Sequence, residues 1–541
     1  MKSAYDVVIV GSGFGGAITG CRLAQAGRSV CILERGKRWR QEDFPRTTGE
    51  IAKAFWRQGK TPGFLDYRVF KKIDVIQGSG VGGGSLHYFN VHLRTPQPIF
   101  EKPQWPAHIS RTLMEPYYDL VQDMLDAVPL TPPVGLDLPA RTEAFFTAAQ
   151  SVGRHPKLLD IAVYTGLPRE NPHSGMPQDP CHYSGNCLLG CRFHAKNTLD
   201  LNYIPLAEQH GAELFPLHLV DKIEPQGNLG YRVHFDRLDP DDSQRSEAGS
   251  VVGKQVILAA GTLGTSELLL RCREVHHTLA DLSPTLGYRF SGNGDFLLAG
   301  TMDANRVVDP ARGPSITTVA DFSTEANHIH IEDLGFPDPF IWMLEGAIPT
   351  AGRIRNLVLS LKKYLLASLG MHGGSSRISF ELERLFTGGE TTRFLPYLGM
   401  GTDAADGRLR LQDGWIDIDW SHRKSRRMFR EMEAALKALS LGLEGRYVTS
   451  ILWKWPLRKL LTAHPLGGCV MGESRKQGVV DPWGQVWGYP NLYVADGSII
   501  PTALSVNPSM TISALAERIA FGMIHGREME PGDPQTPLNR K

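Results

Sequence analysis

Gly11, Gly13 and Gly16, in GxGxxG spacing, and Glu34, 18 residues beyond the third glycine, have the clearest chemistry in this chain. Together they suit a dinucleotide. Gly11 permits a tight turn, Gly13 lets backbone N–H groups approach a pyrophosphate, and Gly16 lets a helix pack on the strand before it. The positive end of that helix faces phosphate, and a carboxylate at Glu34 can accept hydrogen bonds from a ribose. Three elements must hold these residues in place. The apolar run 7–10 predicts a buried strand, 17–26 carries helical periodicity, and 30–33 predicts a second strand ending at Glu34. Strand, glycines, helix, strand and acid in that order mark an adenine-dinucleotide site.

Three more segments belong to the same site. Residues 75–94 hold a second glycine cluster at Gly78, Gly80, Gly82, Gly83 and Gly84, dense enough to pass close to a large flat ligand. A nicotinamide cofactor rarely needs such a loop; a flavin buried along its length could use one. Residues 255–270 predict a strand, a glycine turn and a helix starting at Thr265 or Ser266 with Glu267 in its first turn. Residues 491–498 predict a strand closing on Asp496 and Gly497. These pieces lie far apart, so the cofactor domain is expected to be discontinuous.

Composition agrees with a globular enzyme. The chain has 541 residues, 42% hydrophobic and 21% charged, enough for two domains. A net charge of +1 without a basic stripe gives no reason to expect nucleic acid. Charges or glycines interrupt every apolar run before transmembrane length. The first strand starts almost at residue 1, leaving no room for a cleavable signal, so a cytoplasmic location is the default expectation. Seven cysteines do not describe a secreted disulfide scaffold. Cys181, Cys187 and Cys191 lack the paired spacing and fourth ligand of a zinc or iron–sulfur centre, so no metal is expected. The polar, proline-rich residues 529–541 read as a disordered tail.

With its glycine segments in this order, the chain resembles the glucose–methanol–choline (GMC) oxidoreductase family of flavoproteins. The likeness is carried by the N-terminal glycines, GVGGGS at 80–85, GTLGTSELLL at 261–270, HPLGGC at 464–469, YVADGSIIPT at 493–502 and NPSMTISALAERIA at 507–520. HPLGGCVMG, GVGGGSL, SGNGD at 291–295 and CRFHAKNTLDLNY at 191–203 are most similar to its cholesterol-oxidase-like branch. The resemblance implies FAD, and oxidation of an alcohol to a ketone or aldehyde by hydride transfer to flavin N5. It implies an α/β fold: a discontinuous Rossmann-type FAD-binding domain, residues 1–296 plus 459–528 with insertions around 95–200. A second, substrate-binding domain over 297–458 is expected to carry a mainly antiparallel sheet with helices. Around the cofactor it places Gly11, Gly13, Phe14, Gly15 and Gly16, then Glu34 and Arg35. It adds Gly80, Gly83, Gly84, Ser85, His87, Tyr88 and Asn90 from the second glycine segment. Further along it adds Val220, Ala260 and Gly261, then Asp496, Gly497, Asn507, Pro508 and Met510.

Alcohol oxidation needs a base near neutral pKa beside the flavin, and histidine suits it. By resemblance His464, in HPLGGC, is that base. Asn507, 43 residues later, matches the second catalytic position, where an amide cannot be a base but can hold the substrate oxygen. Asn507 also stands where it could merely cap the helix that Pro508 opens. Glu345, among Phe340, Trp342, Met343 and Ile348, matches a catalytic glutamate of the branch; burial there would raise its pKa. Glu332 in HIHIEDLG competes with it. His87 stands where some family members bond histidine covalently to flavin; a histidine merely packed near the ring is the favoured reading. The three clustered cysteines recur in the branch and read as a structural loop near the cofactor.

Residues 327–332 and 407–418 alternate as strands, and 353–370 read as an apolar helix, either core or a lid touching a membrane surface. Phe336, Phe340, Trp342, Trp453 and Trp455 suggest an apolar cavity for a sterol, terpenoid or other bulky alcohol, with oxygen or another electron acceptor. Two other classes stay open: a non-oxidative flavoprotein, such as a light-driven fatty-acid decarboxylase, and a lipid-binding module without turnover.

Overall fold

Val7, Val8 and Ile9 are fully buried because their strand, Ala4–Val10, lies in the middle of a parallel sheet. The computed structural model describes all residues except 48, 58–60, 240–245, 303–304, 339, 341–390, 455–457, 531–532 and 534–541. The central strand pairs in parallel with Val30–Leu33 on one side and with the end of Ser246–Leu258 on the other. Glu213–Phe215 and Leu492–Val494 extend the parallel layer outward. The long strand Ser246–Leu258 also begins an antiparallel meander with Tyr231–Leu238 and His218–Pro225. Strands from residues 4, 213 and 492 onward thus share one sheet, as a discontinuous dinucleotide-binding domain requires.

The helix after the first strand, Phe14–Gln25, is buried from Gly15 to Ala24. A Cβ on Gly15 would sit 1.7 Å from the Ala495 carbonyl oxygen, and one on Gly16 1.9 Å from that of Gly11. Both glycines are there to let the helix touch backbone. The helix Gly261–Glu274 starts earlier than the sequence suggests. Thr265 does not cap it: its hydroxyl accepts from the Ala260 N–H (3.1 Å) and donates to Asp496 (2.5 Å), which also accepts from the Gly261 N–H (2.9 Å). A distant carboxylate therefore closes the turn that a local cap was expected to close.

A second, six-stranded sheet is antiparallel throughout, in the order Arg446–Thr449, Phe296–Met302, Phe394–Gly401, Ile329–Asp333, Thr318–Asp321 and Lys157–Leu158. The strand expected at 327–332 is Ile329–Asp333, and the one at 407–418 is the hairpin Gly407–Gln412 with Trp415–Asp419. Its turn, Asp413–Gly414, has positive φ at both residues, as a two-residue turn matching strand twist demands. Phe429, Met432 and Leu436 of the helix Arg426–Gly442 form one core with Phe296 and Tyr397 of the sheet. Phe145, from the helix Ala140–Ser151, joins that core, and Lys157–Leu158 is the sheet's edge. The segment read as an insertion into the cofactor domain thus supplies a helix and a strand to the other layer.

A small sheet joins the two halves of the site. Ile73–Gly78, which runs into the second glycine cluster, pairs in parallel with Leu460–Thr462, which runs into His464.

Candidate active site

The first glycine turn forms a cradle of bare backbone. Gly11 has φ +96°, and a Cβ there would lie 2.4 Å from the Ala259 carbonyl. Gly83, φ +54°, lies against Gly13, whose Cα would be 2.5 Å from an added Cβ. No side chain caps the helix Phe14–Gln25 and its first turn carries no acid, so its N-terminal N–H groups suit phosphate. Phe14 packs edge-on to Tyr88, with ring centroids 5.6 Å apart. Buried polar atoms without a hydrogen-bond partner among the described residues include His87 Nε2, Asn90 Oδ1, Glu332 Oε1 and Asn507 Oδ1. Uncapped helix, glycine cradle and orphaned polar atoms fit a dinucleotide carrying a flat polar ring.

The Glu34 carboxylate is engaged within the chain. It accepts hydrogen bonds from the Ser12 N–H (3.0 Å) and hydroxyl (2.8 Å), the Gly36 N–H (2.9 Å) and the Gly80 N–H (3.2 Å). The acid read as a ribose acceptor thus clasps the two glycine loops together. Arg35 pairs with Asp66 at 2.8 Å and lies over the Trp56 ring. Val220 is partly buried at an irregularity between the strands His218–Pro225 and Tyr231–Leu238. Ser85 donates to the Gly82 carbonyl and Gly84 caps nothing but accepts from the His87 N–H, so the second glycine segment closes as a short 3-10 turn.

His464 is held by Asp295. Nδ1 lies 2.9 Å from Asp295 Oδ1, and the His464 N–H donates to Thr462 Oγ1 at 2.9 Å. The other oxygen, Asp295 Oδ2, accepts from the Thr462 hydroxyl (2.8 Å) and the Ala463 N–H (3.0 Å). A carboxylate can only accept, so Nδ1 carries the hydrogen and Nε2 keeps its lone pair. Asp295 ends the loop SGNGD, and the same loop holds the opposite wall. Asn293 donates to the Val506 carbonyl (2.8 Å) and accepts from the N–H groups of Leu504 (2.8 Å) and Ser505 (3.1 Å). Asp403 fastens the loop from below through Ser291, Gly292 and Gly294. Asp295 and Asn293 were not singled out in the sequence; an acid and an amide around a glycine were the available signal.

Asn507 does not cap its helix. The helix is Ser509–His525, with Pro508 before it, and the Asn507 amide donates instead to Glu332 Oε2 at 3.3 Å. Glu332 is 0% exposed on the strand Ile329–Asp333, and burial pushes its carboxyl well above the ordinary range, against the lowering effect of the Asn507 bond. The sign of its effect on stability follows. A carboxyl with a raised folded pKa holds a proton that the unfolded chain has lost, so stability falls as pH rises above about 4.5. Glu332→Gln should therefore stabilise the protein above that pH, by up to about 1.4 kcal/mol per pH unit until the folded pKa is reached. Below it the two should unfold alike. Denaturant melts of both proteins from pH 4 to 8 check this; a constant difference would refute it.

His87 is buried, and desolvation with the nearby Lys196 and His464 lowers its pKa to about 3, so it is neutral. Lys196, 1% exposed, donates to the carbonyls of Leu86 (2.8 Å), Tyr88 (3.3 Å) and Cys187 (2.8 Å). One buried ammonium thus ties the cysteine loop to the glycine segment on both sides of His87. Asn90, at φ +70°, donates to Cys187 Sγ at 3.3 Å. Cys181, Cys187 and Cys191 line one recess there, all seven cysteines are free thiols, and no metal-holding cluster occurs among the described residues. Asp496 is buried behind the Ala260–Gly261 turn, the Gly497 carbonyl accepts from Gly467 next to His464, and Met510 is 1% exposed.

The aromatic residues divide. Phe336 packs edge-on to Phe89 at 6.1 Å and Phe340 lies 6.5 Å from Phe55, in a cluster with Leu86 and Val91. Trp453 packs on Phe296 and Phe429 in the core behind the sheet, so it is structural. Glu345, Trp342, Met343, Ile348, Trp455 and the expected helix at 353–370 lie outside the described residues. No described helix is long and apolar enough to cross a membrane.

Comparison with known proteins agrees with this geometry. Models of GMC oxidoreductase match residues 6–273 and 404–516. A cholesterol oxidase of Mycobacterium tuberculosis is 31% identical over 99% of this chain and 94% of its own length. A long-chain-alcohol oxidase of Arabidopsis thaliana is 24% identical, over 96% of this chain and 67% of its own. The solved structure of pyridoxine 4-oxidase from Mesorbium loti superposes with a TM-score of 0.62 at 17% identity, covering 96% of this chain and 99% of that one. An uncapped helix on a double glycine cradle, and matches along nearly the whole length, lead to one conclusion: the chain belongs to the GMC oxidoreductase family and is an FAD-dependent alcohol oxidoreductase.

Proposed function

We propose that the chain oxidises a bulky apolar primary or secondary alcohol, of the sterol or terpenoid kind, to the aldehyde or ketone. One observation carries the reading: the loop 291–295 holds His464 through Asp295 and the segment of Asn507 through Asn293. FAD, when bound, supplies the hydride acceptor; Gly11, Gly13, Gly83 and the N-terminus of the helix Phe14–Gln25 would hold its phosphates, and His87, Asn90 and Asn507 its ring side, without a covalent bond. His464 Nε2 takes the proton of the substrate hydroxyl, and Asp295 stabilises the imidazolium that results. Asn507 donates to the substrate oxygen, and Glu332, kept neutral by burial, orients that amide. Glu332 is proposed here because it touches Asn507. Phe89, Phe336 and Phe340 exclude water and favour an apolar substrate. That two relatives are named for a sterol and for long-chain alcohols supports the same class.

The test is anaerobic. The yellow protein, mixed with sterols, terpenols, long aliphatic alcohols and sugars, should lose its visible flavin absorbance with the apolar alcohols. Rapid recovery in air would make it an oxidase, and recovery only with an added acceptor a dehydrogenase. Bleaching by sugars alone would refute the substrate class. Acid precipitation should leave the yellow colour in the supernatant.

A further inference from the structure

Ser505 holds a backbone conformation that serine resists. Its φ is +60° and it is buried, two residues before Asn507. Left-handed backbone brings Cβ close to the following carbonyl oxygen, so a residue other than glycine stays there only where its surroundings hold it. Both backbone polar atoms of Ser505 are held by side chains from far along the chain. Its N–H donates to Asn293 Oδ1 at 3.1 Å, and its carbonyl accepts from His330 Nδ1 at 3.0 Å. A carbonyl can only accept, so Nδ1 carries the hydrogen. His330 and Glu332 alternate with Ile331 on the strand Ile329–Asp333 and so face the same way. The strand grips the segment twice, His330 at the Ser505 backbone and Glu332 at the Asn507 side chain. Each pair is 175 residues apart, so strand and segment run in step and in the same direction.

We propose that His330 is a positioning residue: by clasping the Ser505 carbonyl it holds the left-handed turn that aims the Asn507 amide. Little freedom separates the two residues. Asn507 precedes Pro508, which disfavours helical backbone for it, so only Val506 lies between the turn and a restricted residue. The Val506 carbonyl is itself tied to Asn293 at 2.8 Å. A change in the Ser505 backbone is therefore passed on to Asn507 rather than absorbed on the way. Asn293 holds the segment from the loop that also carries Asp295, and His330 holds it from the antiparallel sheet. Glu332 accepts from the amide but does not set the backbone from which that amide hangs. Without His330 the serine relaxes toward negative φ, and the amide leaves the place where a substrate oxygen would meet it. His330 acts only through Asn507, and no proton passes through it. This role rests on the reading of Asn507 as the donor to the substrate oxygen.

Crystal structures of FAD-loaded variants test the clasp without turnover. In His330→Ala the distance from the Asn507 amide to Glu332 should open past about 3.5 Å, and Ser505 should leave positive φ. His330→Asn puts an amide N–H close to where Nδ1 now stands and should keep both. Glycine adopts positive φ freely, so Ser505→Gly added to His330→Ala should bring the amide back. The same proteins are then mixed with alcohol without oxygen. At saturating alcohol His330→Ala should reduce its flavin at least about tenfold more slowly than the parent, with apparent affinity within about twofold, because apolar contacts rather than the amide carry binding. His330→Asn and the double variant should recover most of the rate. Should His330→Ala lose FAD, His330→Leu, shaped like asparagine but without its donor, takes its place. An Asn507 amide unmoved in the alanine or leucine variant overturns the clasp. So do equal reduction rates in that variant and in His330→Asn at equal FAD content. If no alcohol bleaches even the parent, the oxidation reading falls and the crystal structures still decide the clasp.

Discussion

His464→Ala should slow anaerobic flavin reduction by a good alcohol substrate by about 10²–10⁴-fold, the range for loss of a positioned general base. The protein should stay yellow, because no cofactor-cradling glycine depends on the imidazole: His464 is fixed through Thr462 and Asp295. A carbinol carbon gives up hydride readily only as its hydroxyl loses the proton, so removing Nε2 acts on the chemical step. Stopped-flow reduction at saturating substrate isolates that step from affinity. A variant that reduces its flavin at the parent rate would show that His464 is a structural histidine, and the proton acceptor would have to be sought elsewhere.

The second large effect is expected at Asp295, and its size depends on which substitution is made. In Asp295→Asn the side-chain oxygen will turn toward the Thr462 hydroxyl and the Ala463 N–H, the two donors that Oδ2 now accepts from. The amide nitrogen then faces His464 Nδ1 as a donor. That forces Nδ1 to accept and moves the ring hydrogen to Nε2, where the base is needed. Flavin reduction should fall by about 10²-fold or more, toward the loss seen when the base itself is removed. Asp295→Ala imposes no tautomer, so it should be no more damaging than Asp295→Asn. Reduction rates of the two variants, at equal FAD content, decide the matter. An asparagine variant clearly faster than the alanine variant would contradict the tautomer argument.

Glycine patterns were legible because their cause is local. Gly11 has positive φ and Gly16 packs on the Gly11 carbonyl within the first turn itself, and the strand at Val30–Leu33 matches its apolar run. The strand at Ile329–Asp333 and the alternation over 407–418 were readable for the same reason, though the turn at Asp413–Gly414 that divides the latter into a hairpin was not. Where the sequence misled, a distant group had taken over a local task. Thr265 and Asn507 look like helix caps, but Asp496 lies 231 residues from the first and Glu332 175 from the second. Trp453 reads as a pocket wall and is core, because hydrophobicity is the same in both places and only packing separates them.

By itself the sequence determined the cofactor class and the family and singled out His464, since the phosphate-binding glycines and the HPLGGC turn are each short, contiguous patterns. Only the tertiary structure decided what holds that histidine. Asp295 reaches it across 169 residues, Asn293 reaches Val506 across 213, and Glu332 meets Asn507 from the antiparallel sheet. A hydrogen bond's strength depends on partners within about 3 Å and their shielding from water. Neither is a property of neighbours along the chain, so Asp295 and Asn293 look ordinary until the two sheets meet.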